Sequence, residues 1–413
     1  MSARSSSPPA QAPILMMLLP IVAVAFIMFL VTGVALPVLP LYVHHDLGFG
    51  TFVVGLVAGA QFAAALLSRF WSGRYADTRG AKHATVAGLL LATTAGLLYL
   101  LSLRVLAMPA WSVAFLLLGR AVLGGAESCV VTGALAWGLA LAGPQNAGKV
   151  MAWVGLAMYV ALAVGAPAGM ALFGAAGFGA IAVATVLIPA VGLALVARVR
   201  PVAPQASYRP PVTRVVRAVW MPGIGLAFSS IGFGAITTFV VLLFAQRGWG
   251  HAWLGLSTFF TAFVLGRSVL GHLPDRVGGA RVALVSVVIE AAGQALIWLA
   301  PSPAVAFLGA ALSGLGYTLV FPGYGVEAIR RAPPESRGLA MGAYTAFLDL
   351  ALGVANPALG LVASGVGVSA VFLVSAVVVL CSAAVALRLT GWSDRARRAA
   401  PPCAIGDLSE EQT

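Results

Sequence analysis

The feature that most constrains this chain is its division into apolar runs of at least ~20 residues, the length a helix needs to cross a hydrocarbon core of ~30 Å. Twelve such runs can be counted. The first six lie at 14–43, 51–73, 83–103, 110–139, 150–173 and 177–198, and the second six at 219–245, 252–273, 282–300, 304–328, 339–363 and 368–389. Composition agrees with a bilayer as solvent. The chain is 61% hydrophobic and 9% charged, whereas soluble domains carry about 25% charged residues. Folded in water, so apolar a chain would leave large unburied patches. The expected fold class is therefore an all-α membrane protein of twelve transmembrane helices.

An even number of crossings puts both ends on one side, and positive charge says which. Nineteen Lys and Arg fall in the tails and in the breaks after runs 2, 4, 6, 8, 10 and 12, against Arg104 and Arg247 alone in the opposite breaks. The expectation is a multi-pass protein of a bacterial cytoplasmic (inner) membrane with both termini cytoplasmic. The same distribution removes a nucleic-acid reading of the +12 net charge, since the cations are scattered between apolar runs and form no single basic face. The longest internal polar break, around Pro201, Pro204, Pro210 and Pro211, reads as a linker. The expected organisation is a disordered segment 1–13, a six-helix bundle 14–199, a cytoplasmic linker 200–218, a second bundle 219–389 and a disordered tail 390–413.

The two halves repeat one another. Arg69, Gly73, Asp77 and Gly80 recur as Arg267, Gly271, Asp275 and Gly278, each 198 residues on (267−69, 271−73, 275−77, 278−80). Gly48, Gly50 and Gly55 recur as Gly248, Gly250 and Gly255 at an offset of 200. Pro144, Gly148, Met151 and Pro167 recur as Pro334, Gly338, Met341 and Pro357 at an offset of 190. An ordered series whose offset drifts by small steps is what duplication followed by small deletions leaves.

Twelve helices, a six-plus-six duplication and a Gly-x-x-x-Asp-x-x-Gly loop after runs 2 and 8 resemble the major facilitator superfamily over residues 14–389. Gly73, Asp77, Gly80 and Lys82 match that family's loop signature, as do Gly271, Asp275, Arg276, Gly278 and Arg281. The first copy departs in having Thr78 where the family usually has Arg, with the Arg displaced to Arg79. The resemblance implies two pseudo-symmetric six-helix halves that rock about a site at mid-depth, with the loops acting as latches. On this reading Gly73 and Gly271 admit a neighbouring helix. Asp77 and Asp275 face helix N-termini. Arg79, Lys82, Arg276 and Arg281 pair with acids of the other half, and Glu327 with Arg330 forms a gate ion pair.

Ionisable groups inside the runs are candidate functional groups, because hydrocarbon penalises them. Arg120 and Glu127 are seven residues apart in run 4 and share a helix face, as do Asp349 and Asn356 in run 11. Arg120 followed by Gly124 resembles the family's basic signature associated with proton-coupled exchange. These four are the candidates for substrate binding and proton coupling, Asp349 having Arg120 as its alternative, purely structural partner. Gly165, Pro167 and Gly169 in run 5 resemble a shortened form of the antiporter signature and are expected to bend that helix and to make a close contact. Glu290 and Gln294 in run 9 read as packing, and Arg69 and Arg267 as side chains reaching for the interface.

There is no G-x-x-x-x-G-K-[ST] loop for ATP, no His- or Cys-based metal spacing, and no dinucleotide motif after a strand. Cys129 and Cys381 sit in apolar runs. The expectation is a monomeric secondary transporter without cofactor, driven by a proton gradient. It would export a small organic molecule such as a drug or sugar-like metabolite in exchange for protons. A proton-coupled symporter importing a sugar or organic acid is the alternative, and an intramembrane enzyme or receptor the remote one.

Overall fold

The computed structural model describes residues 14–143, 146–202, 212–332 and 337–399. The segment 1–13, Pro144 and Pro334, most of the proline-rich break and the end of the tail, with Cys403, lie outside the described residues. Among those described the chain is helical, with no strand. The helices are α1 (Ile14–Ala35), α2 (Val38–Leu41), α3 (Thr51–Arg79), α4 (Ala81–Arg104), α5 (Pro109–Ala142), α6 (Ala147–Ala197) and α7 (Val212–Gln246). They continue as α8 (Trp253–Leu270), α9 (Leu273–Val277), α10 (Gly279–Leu299), α11 (Pro303–Arg331), α12 (Arg337–Val366) and α13 (Val368–Ala399). Pro37 separates α1 from α2, which runs into a single π-helical turn at Tyr42–Asp46.

Eleven of the helical stretches are long and apolar enough to cross a membrane. The 51 residues of α6 would span about 77 Å if straight, more than twice the ~30 Å hydrocarbon thickness. It is two helices joined at a kink, where Ala176 (φ −145°) and Gly177 (φ 66°) leave helical geometry. Its two limbs make the crossings twelve. Side chains such as Leu67, Trp71 and Val366 are at least three-quarters exposed. A bilayer, rather than water, is the solvent such a surface fits.

Two boundaries differ from the expectation. Helix α7 begins at Val212, inside the expected linker 200–218, because no proline follows Pro211 until Pro222. Helix α13 runs to Ala399, ten residues into the segment 390–413 expected to be disordered; its Ala- and Arg-rich composition favours helix once the preceding turns have nucleated it.

The duplication is written into the backbone. Positive-φ glycines occur as Gly48 and Gly248 (74° and 66°), Gly80 and Gly278 (95° and 107°), and Gly177 and Gly367 (66° and 101°). Their separations are 200, 198 and 190. Gly80 ends α3 and opens α4, and Gly278 stands between α9 and α10. A side chain at either site would meet the left-handed penalty of ~1–2 kcal/mol.

Helices α1–α6 pack mainly on one another, as do α7–α13. The halves meet along α3 with α12 and along the first limb of α6 with α8, while α2 touches α7. The molecule has a basic end, where α3 meets α4 and α11 stops at Arg331, and an opposite end, where α2 meets α7.

Candidate functional site

The α3–α12 seam is built by small residues. The Thr51 hydroxyl donates to the Gly360 carbonyl oxygen at 2.9 Å. A Cβ on Gly55 would overlap the Asn356 carbonyl, and one on Gly59 would stand 2.9 Å from the Gly353 carbonyl oxygen. Backbones this close shut the opposite end between these two helices. Arg69 lies 18 residues along α3 from Thr51 (69−51), about 27 Å deeper, and beyond the seam its guanidinium pairs with the Asp349 carboxylate of α12. The Nε of Arg69 donates at 3.0 Å. Side-chain exposure is 26% for Arg69 and 6% for Asp349. This ion pair joins the two halves.

Glu127 of α5 stands beside that pair. Its Oε2 accepts from Gln61 Nε2 of α3 at 2.6 Å, and its charge lies within electrostatic reach of Asp349, Arg69 and Arg120. Close approach of α3 and α5 makes the contact possible, since any Cβ on Gly124 would overlap the Gln61 carbonyl. Arg120 is 2% exposed, with no hydrogen-bond partner for its Nε or Nη1. It lines a cavity of ≈ 20 Å³ with Thr237 and Thr238 of the other half. Asn356 is buried, with Oδ1 3.5 Å from the Thr238 hydroxyl.

Two expectations about these residues change. The partner of Asp349 is Arg69 and not Arg120. Arg69 therefore turns inward across the interface instead of reaching for the membrane surface. Arg120 and Glu127 lie within electrostatic reach of one another, while the Glu127 carboxylate accepts from Gln61. Arg69 and Gln61 were missed by reading position along the span. The clue was Arg69's place at the head of the duplicated motif, where Arg267 is its counterpart. Arg267 lies within electrostatic reach of Tyr159 and Asp275, and Tyr159 stacks on Phe263 across the α6–α8 contact at 3.7 Å between ring centroids.

Several of the latch residues are also placed differently from the expectation. A Cβ on Gly73 would meet nothing within 4 Å, and one on Gly271 would meet only its own turn at Arg267. Neither admits a neighbouring helix. Gly80 and Gly278 are the glycines the loop requires. Lys82 Nζ donates to the Val199 carbonyl at 2.7 Å and the Ala197 carbonyl at 3.3 Å, capping the C-terminus of α6 in its own half. Asp275 is exposed in the first turn of its own short helix α9, not at a facing one. Asp77 is half-buried, while Arg79, Arg276 and Arg281 are exposed. Glu327 pairs with Arg330 at 3.3 Å and with Arg331 at 3.7 Å, both within α11.

In α6, Gly165 and Gly169 lie against the backbone of Gly33 and Val34 in α1. Pro167 sits between them in continuous helix, and the break comes nine residues later at Ala176 (176−167). The close contact expected of them is made against α1. Glu290 accepts from the Ser229 hydroxyl, and Gln294 Nε2 donates to the Gly232 carbonyl oxygen at 2.9 Å. Both bonds join α10 to α7 inside one half, as packing groups do. Among the described residues no group of three or more His, Cys, Asp or Glu could hold a metal.

A model of the Major Facilitator Superfamily matches residues 21–259 and 223–402. The chain is 42% identical over 363 residues to an uncharacterized MFS-type transporter of Salmonella typhimurium (strain LT2), covering 88% of this chain and 94% of that one. Two solved structures share the fold. The nucleoside transporter NupG has a TM-score of 0.70 at 15% identity, covering 90% of this chain and 99% of that one. The E. coli fucose:proton symporter FucP has a TM-score of 0.65 at 12% identity, covering 92% and 99%. Matched over nearly its whole length by the family model and by a relative at this identity, the chain belongs to the major facilitator superfamily and is a transporter, not an enzyme.

Proposed function

We propose that the protein is a proton-coupled antiporter of the efflux type, exporting a small organic molecule by alternating access. The observation that carries this reading is the Arg69–Asp349 ion pair between the halves, with Glu127 beside it. An ionised Asp349 holds α12 to α3 through Arg69. A proton on Asp349 removes that attraction and leaves the seam to its packing contacts. Once the halves part there, Glu127 is the acid left near Arg69 on the same half, so the guanidinium has a second partner in the separated state. Protonation and the tilt of the halves are then linked, as coupling to a gradient requires. The site is assigned to a cytoplasmic-membrane protein with the basic end inside, on the nineteen-to-two distribution of Lys and Arg. The proton gradient is the energy source, with no bound cofactor, and the working unit is the monomer.

The test is proton movement in energised inverted membrane vesicles, read with a pH-sensitive dye. A panel of cationic dyes, sugars, nucleosides and organic acids would be added in turn. An antiporter releases protons from the vesicle lumen when a member of the panel enters. Compound-driven proton entry into de-energised vesicles would instead establish symport. A response unchanged by Asp349→Asn would remove the coupling role from this residue.

A further inference from the structure

Arg120 is a buried cation that the Arg69–Asp349 scheme does not use. Burying a guanidinium without a counter-charge is costly, and here Nε and Nη1 are both without a hydrogen-bond acceptor at 2% exposure. The phenol of Tyr99 is its near neighbour, and the carboxylate of Glu127, which accepts from Gln61 at 2.6 Å, is within electrostatic reach. Neither satisfies Nε or Nη1, and the side chain lines a cavity.

That cavity is small, internal to the interface and free of acids. Arg120 and apolar side chains including Leu36, Pro40 and Val57 form the wall from one half; Thr237 and Thr238 of α7 form the wall from the other. Its volume of ≈ 20 Å³ suits one water-sized occupant. A second unused donor lies alongside. Asn356, 3.5 Å from Thr238 through its Oδ1, has a buried Nδ2 with no acceptor. Unsatisfied N–H groups thus come from both halves, on α5 and on α12, near a space lined by no carboxylate. A negatively charged group would satisfy donors from both halves at once, and charge-assisted bonds to a guanidinium are among the strong ones.

We propose that Arg120, with Thr238 and Asn356 across the interface, forms a subsite for a small anion or for the anionic group of the transported molecule. In the closed form the space has shrunk to the size of a single atom-sized occupant. When the halves part, the same donors open onto a larger anionic group. This inference rests on the transporter reading for its role and names the substrate class: molecules carrying a negative charge. The binding itself is measurable without transport.

The test uses the full-length protein purified in detergent, and thermal unfolding at constant ionic strength set with sodium Hepes. Sodium chloride, sodium bromide and sodium lactate are titrated separately. A saturable rise in Tm is expected in wild type, lost in Arg120→Gln and shifted to about tenfold higher concentration in Thr238→Val. Stabilisation by halides as well as lactate identifies an inorganic anion site. Stabilisation by lactate alone identifies the carboxylate of an organic substrate. Absence of any saturable anion dependence in wild type overturns the proposal, as does an unchanged response in Arg120→Gln. If Arg120→Gln fails to fold, Arg120→Lys, which keeps the charge but loses the planar fork, should bind more weakly. A saturable shift in protein whose vesicles show no proton coupling would sink the antiport reading and leave the anion site standing.

Discussion

Two of the contacts that join the halves are copies of one another in position and differ in chemistry. Arg69 on α3 and Arg267 on α8 are 198 apart. Their neighbours across the interface, Asp349 on α12 and Tyr159 on α6, are 190 apart (349−159). One contact is an ion pair with an ionisable carboxylate; the other is a phenol stacked on Phe263 with an arginine nearby. Duplication preserved where the arginines sit and let their partners diverge. We read α3–α12 as the proton-sensitive interface and α6–α8 as the one that stays packed by aromatic contact.

The largest effect should come from removing that asymmetry. Asp349→Asn leaves Arg69 without its counter-charge. For a fully buried pair such a loss costs about 3–5 kcal/mol, and the 26% exposure of Arg69 lets water offset part of it. Gradient-driven transport should fall to background in vesicles while downhill exchange survives in part. Retention of full gradient-driven flux would leave the two interfaces functionally alike.

Next is the seam itself. Gly55→Leu would drive a side chain into the Asn356 carbonyl, at an overpacking cost of about 1–3 kcal/mol. That changes the ratio of states open and closed at the opposite end by roughly 5- to 150-fold. Spin-label distances across that end should lengthen. The repeat mate Gly255 faces only side chains of its own half, with Val240 at 3.1 Å, so Gly255→Leu should leave those distances unchanged. Equal behaviour of the two would show that the seam is no gate.

A smaller effect is expected at α6–α8. Tyr159→Ala forfeits the ring pair, worth about 0.5–1.5 kcal/mol beyond its area, whereas Tyr159→Phe keeps it. Proton coupling should survive Tyr159→Phe, and its loss would move a proton-handling role to the second interface. The smallest contrast lies within one loop. Gly80→Ala must adopt φ 95° and should lower stability by about 1 kcal/mol, while Gly73→Ala, with open space around it, should be near neutral. Thermal unfolding of the two variants tests the comparison directly.

Helix number and duplication could be read from residues alone because both rest on local physics. Twenty apolar residues in a row have few alternatives in hydrocarbon, and a glycine required by positive φ, such as Gly80, leaves the same mark in each copy. The break between runs 5 and 6 was legible from run length, and the structure puts it at Ala176 and Gly177. Arg120, Glu127 and Asp349 stood out as candidates in the sequence because a charge in an apolar run has to be accounted for.

The pairing of those charges was not legible, and only the tertiary structure decided it. A long Arg side chain near a helix end reaches either a membrane surface or a neighbouring helix, and which it does depends on where that helix lies. Arg69 found Asp349 because the Gly55–Gly59 stretch brings α12 into backbone contact with α3, 280 residues away in sequence. Lys82, expected to pair with an acid of the other half, turned to the carbonyls at the end of α6 because that helix terminus lies within reach in its own half. Local composition determines which segments enter the membrane; the distances between segments, set by how closely small residues allow them to approach, determine which charges meet.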